Sequence, residues 1–168
     1  MLNAIAFVAL ALAPQTASPL LRDADPKLFA GAATACLRHL AIDRFDPDGL
    51  VAEGWSRHSA AELPERPFRD WVPLFSRGDG VILAAIGPSG KPHGCVVVAK
   101  LVAGTDQAAA RAALIDALKS QPVHEKDGDT LWAIGGIVLL LHRDKHLEGA
   151  LDITIGTRST QLPLQGTQ

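Results

Sequence analysis

No charged side chain occurs before Arg22, no cysteine before Cys36, and no apolar run reaches the about 20 residues that a bilayer-crossing helix needs. The last absence excludes a helical membrane span, including within Leu131 to Leu141, which reads as a central strand. The missing early cysteine excludes a lipid anchor at the end of the first apolar run. Lys and Arg are scattered and the formal net charge is −2. No basic surface therefore calls for nucleic acid or an anionic membrane. Tyrosine is absent altogether, in a chain rich in Ala, Gly, Pro and Arg, a composition that goes with bacterial proteins from GC-rich genomes.

Several catalytic signatures are missing as well. Gly87-Pro-Ser-Gly-Lys-Pro92 departs from a phosphate-binding loop at Ala85, where the first glycine belongs, and at Pro92, where a hydroxyl must reach the metal. His142 and His146 are four apart, but Arg143 stands where a His-Glu-x-x-His glutamate would be, and the pair reads as solvated residues at a strand end and turn. Ser56-Arg57-His58-Ser59 sets hydroxyls beside an imidazole without a nucleophile elbow or a recognisable orienting acid. Asp23, Asp25, Asp43, Asp46 and Asp48 have cap and turn spacing, not that of a calcium loop. No catalytic residue and no cofactor is assigned on these patterns.

What is present begins with Ala4 to Ala13, an uninterrupted apolar run followed by Pro14-Gln-Thr-Ala-Ser18. Its length and its polar, small-residue exit match a secretory signal, with cleavage placed after Ala17. A buried N-terminal helix is the competing reading, but such a helix normally carries one polar face. The expected layout is a signal peptide over 1–17, one α+β domain over 18–156 and a polar, loosely held tail over 157–168. The expected location is periplasmic or secreted.

Within the domain, Asp25-Pro26 starts a helix of about 17 residues whose buried face holds Phe29, Ala33, Cys36, Leu37 and Leu40. A short helix around Leu50 follows Asp46-Pro47. The stretch from Trp55 to Gly80 has no period; its prolines and aromatics predict an irregular connection in which Trp55, Phe68, Trp71 and Phe75 fill the core or line a pocket. Val81 to Ile86 and Cys95 to Val102 read as a hairpin. Thr105 caps a helix with Ala110, Leu114 and Leu118 inward, and Leu131 to Leu141, bulged at Gly135-Gly136, pairs with a strand over Gly149 to Gly156. The expectation is an N-terminal helix followed by a four-stranded antiparallel sheet (ββαββ) with helices on one face.

The two cysteines carry the chemistry. In an oxidising compartment Cys36 and Cys95 most simply form a disulfide, with two separate buried thiols as the other packing solution. A sharper alternative joins Cys36, His39, His93 and Cys95 into a tetrahedral zinc site, which needs both thiolates free. The leading functional expectation is a non-catalytic exported domain that binds another protein or an envelope component through its second sheet face or the 55–80 connection. The alternative is a metal-binding protein or enzyme built on the Cys/His cluster.

Overall fold

The computed structural model describes residue 18 and residues 20–41, 44–88 and 91–157. The expected signal peptide over 1–17 and, apart from Thr157, the expected tail over 157–168 lie outside the described residues.

Two antiparallel meanders make the main sheet. The first comprises β4 (Ser56–His58), β5 (Leu74–Ser76), β6 (Val81–Ile86) and β7 (Gly94–Leu101). The second comprises β8 (His124–Lys126), β9 (Asp129–Ile134), β10 (Ile137–Arg143) and β11 (Ala150–Thr157). Their last strands, β7 and β11, pair antiparallel from Ala150 opposite Lys100 to Gly156 opposite Gly94, so each meander covers the open edge of the other. A two-residue strand, β1 (Asp23–Ala24), runs parallel to the end of β7. The sheet therefore has nine strands, and β2 (Leu40–Ala41) with β3 (Arg44–Phe45) forms a separate two-stranded ribbon.

This overturns the expected four-stranded ββαββ sheet. The decisive residues are Gly135 and Gly136, which both adopt positive φ (56° and 86°) and close a two-residue hairpin, with Ile134 paired to Ile137. Two consecutive left-handed residues are what a primed hairpin turn requires, so the apolar run from Leu131 to Leu141 is not one bulged strand but the meeting of β9 and β10. The other additional strands are two or three residues long; sheet pairing, not side-chain periodicity, defines them. Two of them, β4 and β5, fall inside the 55–80 connection.

Three helices complete the described chain: α1 (Pro26–Arg38), α2 (Pro47–Ala52) and α3 (Gln107–Leu118). Asp25, Asp46 and Asp106 cap them, accepting from the backbone N–H groups of Lys27, Gly49 and Ala109. Asp106, not Thr105, is thus the cap of α3, while the Thr105 hydroxyl donates back to Val102 O at 2.6 Å. Phe29, Ala33 and Cys36 of α1 and Ala110 and Leu114 of α3 bury one sheet face made by Val81, Leu83, Cys95, Val97, Trp132, Leu139, Leu141, Ile153 and Ile155. On the opposite face Leu74, Ile82, Ala84, Val96 and Val98 are buried beneath Leu63, Val72 and Leu147. Among the described residues no helix is long and apolar enough to cross a membrane.

Candidate functional site

Cys36 and Cys95 are bonded to each other, one on α1 and the other on β7, with Cα atoms 6.4 Å apart and no solvent exposure. Closing this loop stabilises the fold by about 4 kcal/mol on the chain-entropy account. A fully buried disulfide of this kind belongs to an oxidising, extracytoplasmic compartment. The bonded sulfurs cannot act as thiolate ligands. His39, at the C-terminal end of α1, instead sets its Nε2 3.0 Å from Glu53 Oε1. The Glu53 carboxylate is held down at about 2, chiefly by hydrogen bonding from Arg38 and further by His39. His93 stands at the entrance to β7, its backbone N–H donating to Ile86 O. Among the described residues, no group of three His, Cys, Asp or Glu side chains is arranged to hold a metal ion.

A different constellation assembles at the outer edge of the first meander. His58 lies on β4 opposite Leu74, and Ser76 on β5 opposite Ser56, so the two occupy a diagonal of the same sheet face, within reach of an imidazole. His58 Nε2 is 3.0 Å from Ser76 Oγ, and Nδ1 is 2.9 Å from Glu62 Oε2. The glutamate comes from a single 3₁₀ turn over Ala60–Glu62, and its other oxygen accepts from the backbone N–H of Ser59 at 2.8 Å. That bond, followed by the one from His58, pulls the Glu62 carboxyl below its ordinary range. The Ser56–Ser59 motif therefore has the orienting acid that its sequence does not display, and its serine partner is Ser76 rather than Ser56 or Ser59. A usable signal was present in Ser59-Ala-Ala-Glu62, a capping-box pattern that turns the glutamate back toward the preceding strand.

Farther along the same face, Arg66 penetrates from the connection into a buried acidic pair. Its Nη2 donates to Asp152 Oδ2 at 2.6 Å, its Nε lies 2.9 Å from Asp144 Oδ2, and the guanidinium sits 4.7 Å from the Phe68 ring centre. Asp144 also accepts from the backbone N–H groups of His146 and Leu147, which fixes the turn between β10 and β11. His142 is not a solvated turn residue: it lies within β10, opposite Asp152, with Nε2 2.8 Å from Asp152 Oδ1. Hydrogen bonding and charge from Asp152 raise the imidazole pKa above its ordinary value, against the opposing effect of burial.

Beyond this cluster the second face changes character. Leu131 and Ala133 of β9 and Val138 and Leu140 of β10 share that face by register, and none is fully buried. The aromatics of the connection do not line a common pocket. Phe75 points into the helix-covered core, Trp55 is buried with Arg77 4.8 Å from its ring centre, Phe68 joins the second-face cluster, and Trp71 is 45% exposed. A hollow of about 620 Å³ between α1 and α3 is lined half by alanines, with Asp25, Lys27, Thr105 and Asp116 among the rest, and gathers no serine, cysteine or imidazole. Comparison of the chain with protein-family models, with curated proteins and with solved structures finds no match in any of the three.

Proposed function

We propose that this chain is a periplasmic or secreted, disulfide-stapled domain that binds another protein through the β9–β10 part of its second sheet face. The carrying observation is the partial exposure of Leu131, Ala133, Val138 and Leu140 on adjacent strands, beside a half of the same face that the chain covers itself. A contiguous apolar patch on an otherwise two-layered domain favours a macromolecular partner. By register Asp129 shares this face with Lys126 opposite it, and Asp152 is already paired with Arg66, so no net positive charge draws an anionic lipid surface to it.

The test is site-specific photo-crosslinking in the periplasm of an expressing bacterium, with the reactive group at position 140 or, as a reference, at exposed Ala108 on α3. The expected result is a discrete adduct with a second protein from position 140 and none from position 108. Identical adducts from both positions, a product containing only two copies of this chain, or no adduct would overturn the proposal.

A further inference from the structure

The polarity of the Ser76–His58–Glu62 chain follows from elementary chemistry. An ionised carboxylate only accepts hydrogen bonds, so with Glu62 Oε2 at 2.9 Å the Nδ1 atom of His58 is the protonated one. In the neutral imidazole Nε2 then has a free lone pair, and the neighbour at 3.0 Å, the Ser76 hydroxyl, must donate to it. A hydroxyl donating to an imidazole whose other nitrogen is tied to an anchored carboxylate is the arrangement that activates a serine for acyl transfer. Capping explains only one oxygen of Glu62, since Ser59 occupies Oε1 while Oε2 is spent on the imidazole. Burial grades outward along the chain: Ser76 is 3% exposed, whereas the His58 and Glu62 side chains are 18% and 49% exposed. A reagent therefore approaches past the imidazole, along the outer edge strand of the sheet, and only a small group reaches the hydroxyl.

From this geometry we infer that Ser76 is a nucleophile with His58 as its base and Glu62 as a positioning residue, acting on small acyl esters. The Ser76 oxygen adds to the ester carbonyl carbon while its proton passes to His58 Nε2. The bond from that carbon to the alcohol oxygen then breaks, and His58 returns the proton to the leaving alcohol. Water, deprotonated by the same imidazole, attacks the acyl-serine, releasing the carboxylic acid and restoring the hydroxyl. This activity is separate from recognition at β9–β10 and uses none of its residues.

The experiment treats the full, oxidised chain with diisopropyl fluorophosphate, a small reagent that phosphorylates activated serines and expels fluoride, followed by intact mass and peptide mapping. A single adduct on Ser76 is expected, lost in Ser76→Ala, and slowed about 100-fold or more in His58→Ala, the lower range for removal of a general base. Glu62→Ala should be slowed as well, with Glu62→Asp recovering part of the rate, a rescue that a purely structural contact would not give. Ala108→Gln, at an exposed position on α3, should be labelled at the wild-type rate. Absence of an adduct on Ser76 in the wild-type protein overturns the inference without reference to any variant, and so does labelling that is as fast in a folded His58→Ala protein.

Discussion

The two halves of the second sheet face are built from similar apolar strands but finished differently. Over β5, β6 and β7 the chain lays its own 59–73 connection, and Leu74, Ile82, Val96 and Val98 are sealed beneath Leu63 and Val72. Over β9 and β10 no such cover comes from the described residues, and Leu131, Val138 and Leu140 keep partial access to solvent. Arg66 marks the boundary, reaching from the connection to Asp144 and Asp152. One half has thus been turned into core by a loop anchored through charge. The other is left partly open to solvent.

The sharpest way to break this comparison is to put one carboxylate into each half. Val98→Asp should cost several kcal/mol and leave little folded protein, because an unpaired charge there loses its hydration. Ala133→Asp, at an exposed position of the open half, should change the urea midpoint by the equivalent of only about 0.5 kcal/mol while removing the crosslink formed from position 140. Similar losses of stability from both substitutions would show that the two halves are equally core-like.

A smaller effect than that of Val98→Asp, but a more local one, is expected from Arg66→Ala. Deleting the guanidinium leaves Asp144 and Asp152 facing each other without their cation. The loss should be about 3 kcal/mol, at the lower end for a broken buried pair because the Arg66 side chain retains 11% exposure. Limited proteolysis should then cut within 59–73 first, whereas cutting that begins in β9 or β10 would contradict the role given to the clamp.

The smallest expected effect is a dependence on pH at the boundary. The raised His142 pKa means that folding favours its protonated form, as a cluster of two carboxylates and one guanidinium would. Its stabilisation is full below the ordinary imidazole value of about 6.5 and fades as pH rises through the higher folded value. Asp152, Arg66, Asp144 and, more distantly, Asp129 are the charged groups around it. Wild type should therefore lose stability relative to His142→Asn as pH rises above about 6.5, as read from urea unfolding; parallel pH curves would remove His142 from the cluster.

Much of the fold's punctuation was legible along the chain. Asp25-Pro26 and Asp46-Pro47 mark helix starts by local capping, and the runs 81–86 and 95–101 form strands because β-branched and apolar residues suit a sheet buried on both faces. Gly135-Gly136 was legible as a break but not as a reversal, since a bulge and a primed turn both use glycine and only the pairing of Ile134 with Ile137 separates them. The short strands β4, β5 and β8 carry no period of their own. Of the candidate site, the disulfide followed from cysteine count and compartment, but His58, Glu62 and Ser76 did not, because Ser76 lies 18 residues from His58 and meets it only across a strand diagonal.

By itself the sequence determined the starts of α1 and α2 and the strands over 81–86 and 95–101, which rest on local geometry, and it offered each cysteine one partner while leaving the bridge itself open. Tertiary structure alone decided that two meanders join at β7 and β11, that one half of the second face is covered and the other is not, and that a histidine, a glutamate and a distant serine share hydrogen bonds. Those outcomes depend on which strand pairs with which, and pairing is a competition among long-range contacts that no local pattern records.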